Sequence, residues 1–263
     1  MYSFSGKLRY SECDAEGRMT FLSMINYLQD ASTFQCEELG IGVEFMRTRN
    51  KAWFLAAWNI FVPELPSFRD DLVISTWPYQ FKGIYGMRNF TITSPDGKPY
   101  VQADSLWFLM DYKLGRPVRP APEEVDPLNA VCEPRLEGMP PMERKLELPA
   151  DALTAQAGQQ TVAGQQIVAG QQALTGSVTA AEPVTVQQHH LDTNYHVNNA
   201  QYIAIARDAA EWEEKFSRLD AQYKKSAHLG DVICPFVYRT ENGCITDLRD
   251  AAGESYAIIR ITG

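Results

Sequence analysis

The sequence predicts an α+β protein in which one structural unit, a long helix with several antiparallel strands, occurs twice. A helical stretch that is apolar on most sides follows residue 20. Runs of strand length, bounded by turn residues, come after it. The second half of the chain repeats this order, and 263 residues are enough for two such units.

The first helix is expected from about Thr20 to Leu39. Thr20 or Ser23 can cap its first turn, and Gly40 can end it. Leucine, isoleucine and aromatic side chains occupy more than one of its faces. Because a helix that is apolar on most sides is buried, we expect this one to lie inside the molecule.

Four strands should follow the helix. The third ends at Ser94-Pro95-Asp96-Gly97, a sequence with strong turn propensity, so neighbouring strands are expected to be antiparallel. The predicted runs are residues 53–62, 72–81, 87–93 and 100–110.

The second unit is predicted from a strand at 183–190 and a helix that continues through 203–216. Asp14 and Asp192 hold equivalent places, since each lies shortly before a long helix. Four further strands are predicted at residues 219–225, 231–240, 244–249 and 255–261.

A segment rich in proline separates the two units. Its later part contains three copies of Ala-Gly-Gln-Gln between residues 157 and 172, which we interpret as a tolerated insertion. We therefore divide the chain into a domain at 1–120, a linker with insertion at 121–182, and a domain at 183–263.

Composition excludes several classes of function. A formal net charge of −9 argues against binding to nucleic acid or to an anionic membrane. No run of about 18 apolar residues occurs. Five scattered cysteines without a C-x-x-C motif are typical of reduced thiols, so we expect a cytoplasmic protein.

Residues 191–202 carry the chemistry of this sequence. If 191–196 is extended, the side chains of Asp192, Asn194 and His196 share one face. Asn198 or Asn199 then caps a helix whose first N–H groups could stabilise an oxyanion, which indicates acyl transfer. The simpler alternatives are an Asx-turn at the Asp-x-Asn pair and a histidine that is only a surface or capping residue.

The run D-x-N-x-H-V-N-N-x-x-Y resembles the motif of hotdog-fold thioesterases, and most closely that of the acyl-acyl carrier protein thioesterases. The resemblance covers nearly the whole chain and includes Asn26-Tyr27-Leu28-Gln29-Asp30 in the first helix. It implies two tandem hotdog domains, each a curved antiparallel sheet wrapped around a long helix. One chain would then build what many relatives build as a dimer.

The resemblance also implies the reaction and its residues. Asp192, Asn194 and His196 would be catalytic, and amide groups near Asn198 and Asn199 would polarise the carbonyl. The reaction would be hydrolysis of the thioester of a fatty acyl carrier protein in fatty acid biosynthesis. The acyl chain would arrive on 4′-phosphopantetheine, and no metal or cofactor would be required.

Two comparisons within the sequence refine this prediction. The first half has Asp14, Glu16 and Arg18 where the second has Asp192, Asn194 and His196, which predicts one active site, in the second half. The family places a Glu-Cys pair on the strand facing the motif, where this chain has Ser226 and Ala227. Either the motif suffices, or an acid such as Asp231 replaces the glutamate.

Two alternatives stay open, an acyl-CoA thioesterase and a non-hydrolytic acyl-binding or dehydratase-like hotdog protein. A carrier protein would need a basic surface on the enzyme. Exposed sheet edges and the habit of the family favour a homodimer. His189 and His190 do not indicate a metal site, because neighbours on a strand point to opposite sides. The basic residues available are Arg47, Arg49, Lys51, Lys224 and Lys225.

Overall fold

The computed structural model describes residues 1–143, 145–149, 178–212 and 215–263. The predicted Ala-Gly-Gln-Gln insertion lies outside the described residues. Within the described part, helices and one large antiparallel sheet confirm the α+β prediction. No described helix is long and apolar enough to cross a membrane.

The first half contains the predicted long helix and four strands, together with shorter elements. Helix α1 begins where expected, because Thr20 Oγ1 accepts a hydrogen bond from the Ser23 amide at 3.1 Å. The elements are β1 (Tyr2–Lys7), α1 (Phe21–Glu38), α2 (Val43–Thr48), β2 (Lys51–Phe61), β3 (Asp71–Lys82), β4 (Tyr85–Thr93), β5 (Pro99–Asp111), β6 (Arg116–Val118) and α3 (Pro122–Asn129).

The second half repeats the order of one long helix and several strands. The predicted strand at 183–190 is wrong beyond residue 185, since Gln188–His190 form a 3-10 turn. The helix is shorter than predicted and ends at Ala210, where Glu211 takes a left-handed conformation. The elements are β7 (Val178–Ala180), β8 (Val184–Thr185), α4 (Asn199–Ala210), β9 (Arg218–Tyr223), β10 (Val232–Thr240), β11 (Gly243–Arg249) and β12 (Ser255–Thr262).

The two halves are joined through their sheets. The strands run in the order β1-β3-β4-β5-β2-β9-β12-β11-β10-β7, with β6 beside β5 and β8 beside β10. β2 pairs with β9 from Ala57↔Gln222 to Phe61↔Arg218, and this seam makes one continuous sheet. Asn59 Nδ2 donates to Asp220 Oδ1 at 2.6 Å across it.

The largest hydrophobic cluster among the described residues lies between the sheet and the two long helices. Leu28 of α1 and Ile203 of α4 are fully buried in the same cluster. The rings of Phe21 and Phe216 stack at 4.1 Å, which ties the start of α1 to the second half. Helix α1 therefore packs against its own sheet and against α4.

The described part of the predicted linker crosses the opposite face of the sheet. Arg135 forms an ion pair at 2.8 Å with Asp104, which is fully buried. Further along, the Glu143 amide donates to Asn59 Oδ1 at 3.2 Å and the Leu146 amide donates to Gln222 Oε1 at 3.1 Å. Parts of β4 and β5 are consequently buried on both faces. The domain boundaries given above stay predictions.

Candidate active site

The motif begins in a tight turn, so the predicted extended conformation of 191–196 is wrong. The Asp192 amide donates to the His196 carbonyl at 2.8 Å. Asp192 Oδ1 accepts from the amides of Asn194 at 2.7 Å and His196 at 3.2 Å. Tyr195 takes a positive φ of 61°. This is the Asx-type alternative, in which the aspartate side chain satisfies the backbone amides that a strand would pair.

The turn nevertheless brings the three predicted side chains together. Asp192, Asn194 and His196 all line a small cavity of about 90 Å³. Asp192 and Asn194 also line a neighbouring cavity of about 590 Å³. The carboxylate and the carboxamide therefore stand where the two cavities meet, with the imidazole on the side of the smaller one.

Helix α4 begins directly after this turn. Asn198 is its N-cap, and its Oδ1 accepts from the Ala200 amide at 2.9 Å and from Gln29 Nε2 at 3.1 Å. The Gln201 amide donates to the Asn198 carbonyl at 2.9 Å. Among the described residues, the Asn199 amide has no acceptor. Of the N–H groups expected to hold an oxyanion, that of Asn199 remains available.

Helix α1 of the first half holds this helix start in place. Asn199 Nδ2 donates to Gln29 Oε1 at 3.0 Å, so one glutamine carboxamide binds both asparagines. Tyr223 of β9 donates its hydroxyl hydrogen to the Asn199 carbonyl at 3.0 Å. The start of α4 is therefore fixed from both halves of the molecule.

His196 is partly buried between aromatic rings. Its ring centroid lies 5.7 Å from that of Phe54 and 5.0 Å from that of His228. Burial lowers the pKa of His196, and His228 acts in the same direction, whereas Asp192 opposes them. The imidazole is accordingly neutral near pH 7 and can accept a proton.

His228 is a neighbour that the sequence did not single out. Its Nδ1 lies 3.8 Å from Asp231 Oδ2, which also accepts the His228 amide at 2.9 Å and the Tyr256 hydroxyl at 3.2 Å. Asp231 lines neither cavity and contacts His228. Ser226 does line the small cavity with His196, while the Ala227 amide donates to the Tyr202 hydroxyl. The sequence offers one signal for this contact, because His228 lies two residues after Ser226 in the stretch that the resemblance places opposite the motif.

The larger cavity extends from the turn into the first half. It is bounded by α1, α2 and strands of the first-half sheet, so the site combines a turn from one half with a cavity of the other. One charged side chain in its wall, Arg88, is almost completely buried. Apolar side chains in the wall include Ile41, Met46, Trp53, Phe81, Met87 and Trp107.

Four of the five predicted basic residues line these cavities. Arg47 and Lys51 line the larger one, and Lys224 and Lys225 line the smaller. Lys51 is already paired with the buried Glu124 at 2.7 Å. Lys225 is paired with Asp250 and Glu254. Arg49 instead lies over the Phe45 ring at 3.6 Å. Arg47 also pairs with Glu44 at 3.2 Å, but these two side chains are 62% and 75% exposed. Arg47 and Lys224 are thus the cations best placed to meet an acidic partner.

Comparison with family models matches both halves of the chain. The acyl-ACP thioesterase N-terminal domain matches residues 1–128, and the acyl-ACP thioesterase C-terminal domain matches residues 176–262. A chloroplastic palmitoyl-acyl carrier protein thioesterase of Gossypium hirsutum is 24% identical over 245 residues, covering 89% of this chain and 54% of the relative. One from Cuphea hookeriana is 26% identical over 208 residues, covering 74% and 43%. The chain spans about half the length of these curated relatives.

Solved structures share the fold over almost the whole chain. An acyl-ACP thioesterase from Bacteroides thetaiotaomicron is 19% identical with a TM-score of 0.73, covering 99% of this chain and 96% of that chain. The 12:0-ACP thioesterase from Umbellularia californica is 16% identical with a TM-score of 0.75 and the same coverage. These likenesses confirm the predicted fold of two tandem hotdog domains.

Proposed function

Because the chain belongs to the acyl-acyl carrier protein thioesterase family, we propose that it hydrolyses the thioester of a fatty acyl carrier protein in fatty acid biosynthesis. The products are a free fatty acid and the thiol of the carrier's phosphopantetheine. One observation carries the proposal. A turn with a carboxylate, a carboxamide and a neutral imidazole opens onto a large cavity with many apolar side chains in its wall.

In the proposed mechanism, the thioester carbonyl lies at the start of α4. The Asn199 amide donates to the carbonyl oxygen as it gains negative charge, and one such donor contributes about 3–4 kcal/mol to lowering the barrier. His196 accepts a proton from water, whose oxygen attacks the carbonyl carbon. The C–S bond then breaks, and the proton passes from His196 to the leaving thiolate.

Asp192 and Asn194 position the reactants. Asp192 Oδ1 is held by two backbone amides, but within the described chain no cation pairs with the carboxylate. Its Oδ2 is therefore free to hold the attacking water and the imidazolium that forms. The Asn194 carboxamide holds the water or the carbonyl. Ser226 can hydrogen-bond the water, but a serine hydroxyl does not replace a glutamate as a base.

The carrier protein is the proposed partner, and Arg47 and Lys224 near the cavities are its proposed contacts. The cytoplasmic location and the homodimer stay predictions.

The test is thiol release from matched thioesters of acyl carrier protein, CoA and pantetheine, over a range of chain lengths. We expect the largest kcat/KM with the carrier protein. Equal rates with all three thiols would remove the carrier protein from the proposal. No release from any thioester, by protein shown to be folded, would overturn it in favour of acyl binding without hydrolysis.

A further inference from the structure

The wall of the large cavity contains a buried cation without an anionic partner. Arg88 of β4 is 6% exposed and lines the cavity. Its Nη1 donates to Gln35 Oε1 of α1 and, at 3.1 Å, to Thr76 Oγ1 of β3. Among the residues that the structure describes, no carboxylate forms an ion pair with it. The titratable groups beside it include the thiols of Cys36 and Cys132, and burial raises the pKa of both thiols, so they carry no charge near neutral pH.

This arrangement is unfavourable unless another group neutralises or hydrogen-bonds the positive charge of Arg88. A buried ion without a partner is destabilising, and burial lowers the pKa of Arg88 from its ordinary value. An arginine nevertheless stays protonated, so it keeps five N–H donors. The two acceptors above occupy Nη1 only.

The remaining donors face the cavity. In the described part of the chain, Nε and Nη2 of Arg88 donate no hydrogen bond. Neither nitrogen is fully enclosed by protein, so both keep some accessible surface. Since Arg88 is almost wholly buried and lines the cavity, their accessible surface opens into it. Gln35 and Thr76 are themselves 4% and 0% exposed, so they hold the guanidinium in one orientation.

Arg88 lies away from the reacting end of the site. Helix α1 supplies Gln29 to the start of α4 and Gln35 to Arg88. Six residues of helix separate the two glutamines by about 9 Å along the axis. An oxygen on the third carbon of an acyl chain lies within about 4 Å of the thioester carbon, because only three bonds join them. The group that meets Arg88 therefore belongs to a more distant part of the chain.

We infer that this cavity accepts acyl chains that carry an oxygen function near the end distal to the thioester, and that Arg88 binds this oxygen. A carboxylate fits best, since a guanidinium fork binds it through two hydrogen bonds and both charges are neutralised. A hydroxyl is a weaker ligand of the same kind. The inference rests on the proposed function, because it assumes that the thioester lies at the start of α4.

The test compares thioesters of equal chain length that end in a methyl, a hydroxyl or a carboxylate group. For the wild type we expect kcat/KM to be at least about tenfold higher with the carboxylate than with the methyl, as a hydrogen bond between charged groups predicts. In Arg88→Met this ratio should fall at least about tenfold. Arg88→Lys keeps the charge and should retain part of the preference for the carboxylate. It replaces Arg88→Met in the test if the methionine variant does not fold.

A matched control is Arg249→Met, since Arg249 is also a buried arginine but pairs with Asp247 at 2.6 Å, outside the cavity. It should leave the ratio unchanged. A wild type that shows no preference for the oxygenated chains, together with a ratio that Arg88→Met does not change, would overturn the inference. Arg88 would then only tie α1 to the sheet.

Binding of non-hydrolysable acyl-pantetheine analogues separates this inference from the proposed function. Calorimetry should show that the wild type binds the carboxylate-ended analogue more tightly than the methyl-ended one, and that Arg88→Met does not. If no thioester is hydrolysed but this difference appears, the proposed function fails and the subsite stands. If plain chains are hydrolysed and the difference is absent, the function stands and the subsite fails.

Discussion

The turns at residues 14–18 and 192–196 make the same hydrogen bonds to the backbone but differ in their side chains after the first residue. The Asp14 amide donates to the Arg18 carbonyl at 2.8 Å, as the Asp192 amide does to that of His196. Asp14 Oδ1 accepts from the Glu16 amide at 3.1 Å and the Arg18 amide at 2.8 Å. The fourth residue has a positive φ in both turns, 75° at Gly17 and 61° at Tyr195. In both turns the aspartate therefore stabilises the backbone conformation, apart from any role in chemistry.

The difference lies in what surrounds the second carboxylate oxygen. In the first turn, Arg18 Nε lies 3.6 Å from Asp14 Oδ2. In the second, no cation pairs with Asp192 within the described residues, and the carboxylate faces two cavities that the first turn does not line. The same scaffold thus yields one turn with a neutralised carboxylate and another with a free one. In the proposed mechanism, the chemistry depends on the third and fifth residues of the second turn, Asn194 and His196.

Replacing the fifth residue should have the largest effect. His196→Ala should lower kcat by about 10² to 10⁴, the range expected for loss of a general base. Arg18→Ala, the equivalent change in the first turn, should leave kcat close to that of the wild type. Thiol release from an acyl carrier protein measures both. Equal loss in the two variants would show that the halves do not differ in function, and unchanged release in His196→Ala would move the base to a carboxylate.

Replacing the aspartates separates their two roles. Asparagine keeps an oxygen acceptor for the turn but removes the charge, so Asp192→Asn should lower kcat by about tenfold or more and Asp14→Asn should not. Alanine removes the acceptor, and each alanine variant should lower the free energy of unfolding by about 1–3 kcal/mol. Denaturant titration and steady-state rates check these expectations. A kcat for Asp192→Asn equal to that of the wild type would leave this aspartate only its part in the turn.

The smallest effect concerns pH. If neutral His196 is the base, activity falls as the pH drops through its pKa, which burial places below the ordinary value of 6.5. His228 lowers this pKa further when it is charged, so His228→Gln should raise it and move the acid limb of kcat/KM to higher pH. Because His228 is the smallest of the causes, the shift should be less than about one unit. A limb that moves to lower pH would contradict this assignment.

Most of the sheet could be predicted from the sequence. The runs at 72–81 and 87–93 became β3 and β4 with boundaries shifted by at most two residues, since turn residues bound them on both sides. The turn at 191–196 was predicted wrongly because strand alternation was preferred to the hydrogen bonds that an aspartate makes with nearby amides. The positive φ of Tyr195 gave no warning in the sequence, although Gly17 at the equivalent position did.

The environment of Arg88 could not be predicted from alternation. Arg88 and Asn89 are neighbours on β4, so one of two polar residues should face solvent. Both are buried, because the linker covers the outer face and the Leu136 amide donates to Asn89 Oδ1 at 2.8 Å. That contact joins residues 47 positions apart in the chain. Only tertiary packing reveals it.

The pairing of β2 with β9 within one chain also bears on the number of catalytic centres in each polypeptide. Two identical subunits would carry identical turns, and any substitution would appear twice. Joining the halves in one chain allows them to differ. On the proposed function, the first half has no imidazole at the equivalent position and supplies the acyl cavity, while the second half carries the reacting groups. One polypeptide should therefore contain one catalytic centre, and a covalent inhibitor of His196 should saturate at one equivalent per chain, whatever the number of chains in the assembly.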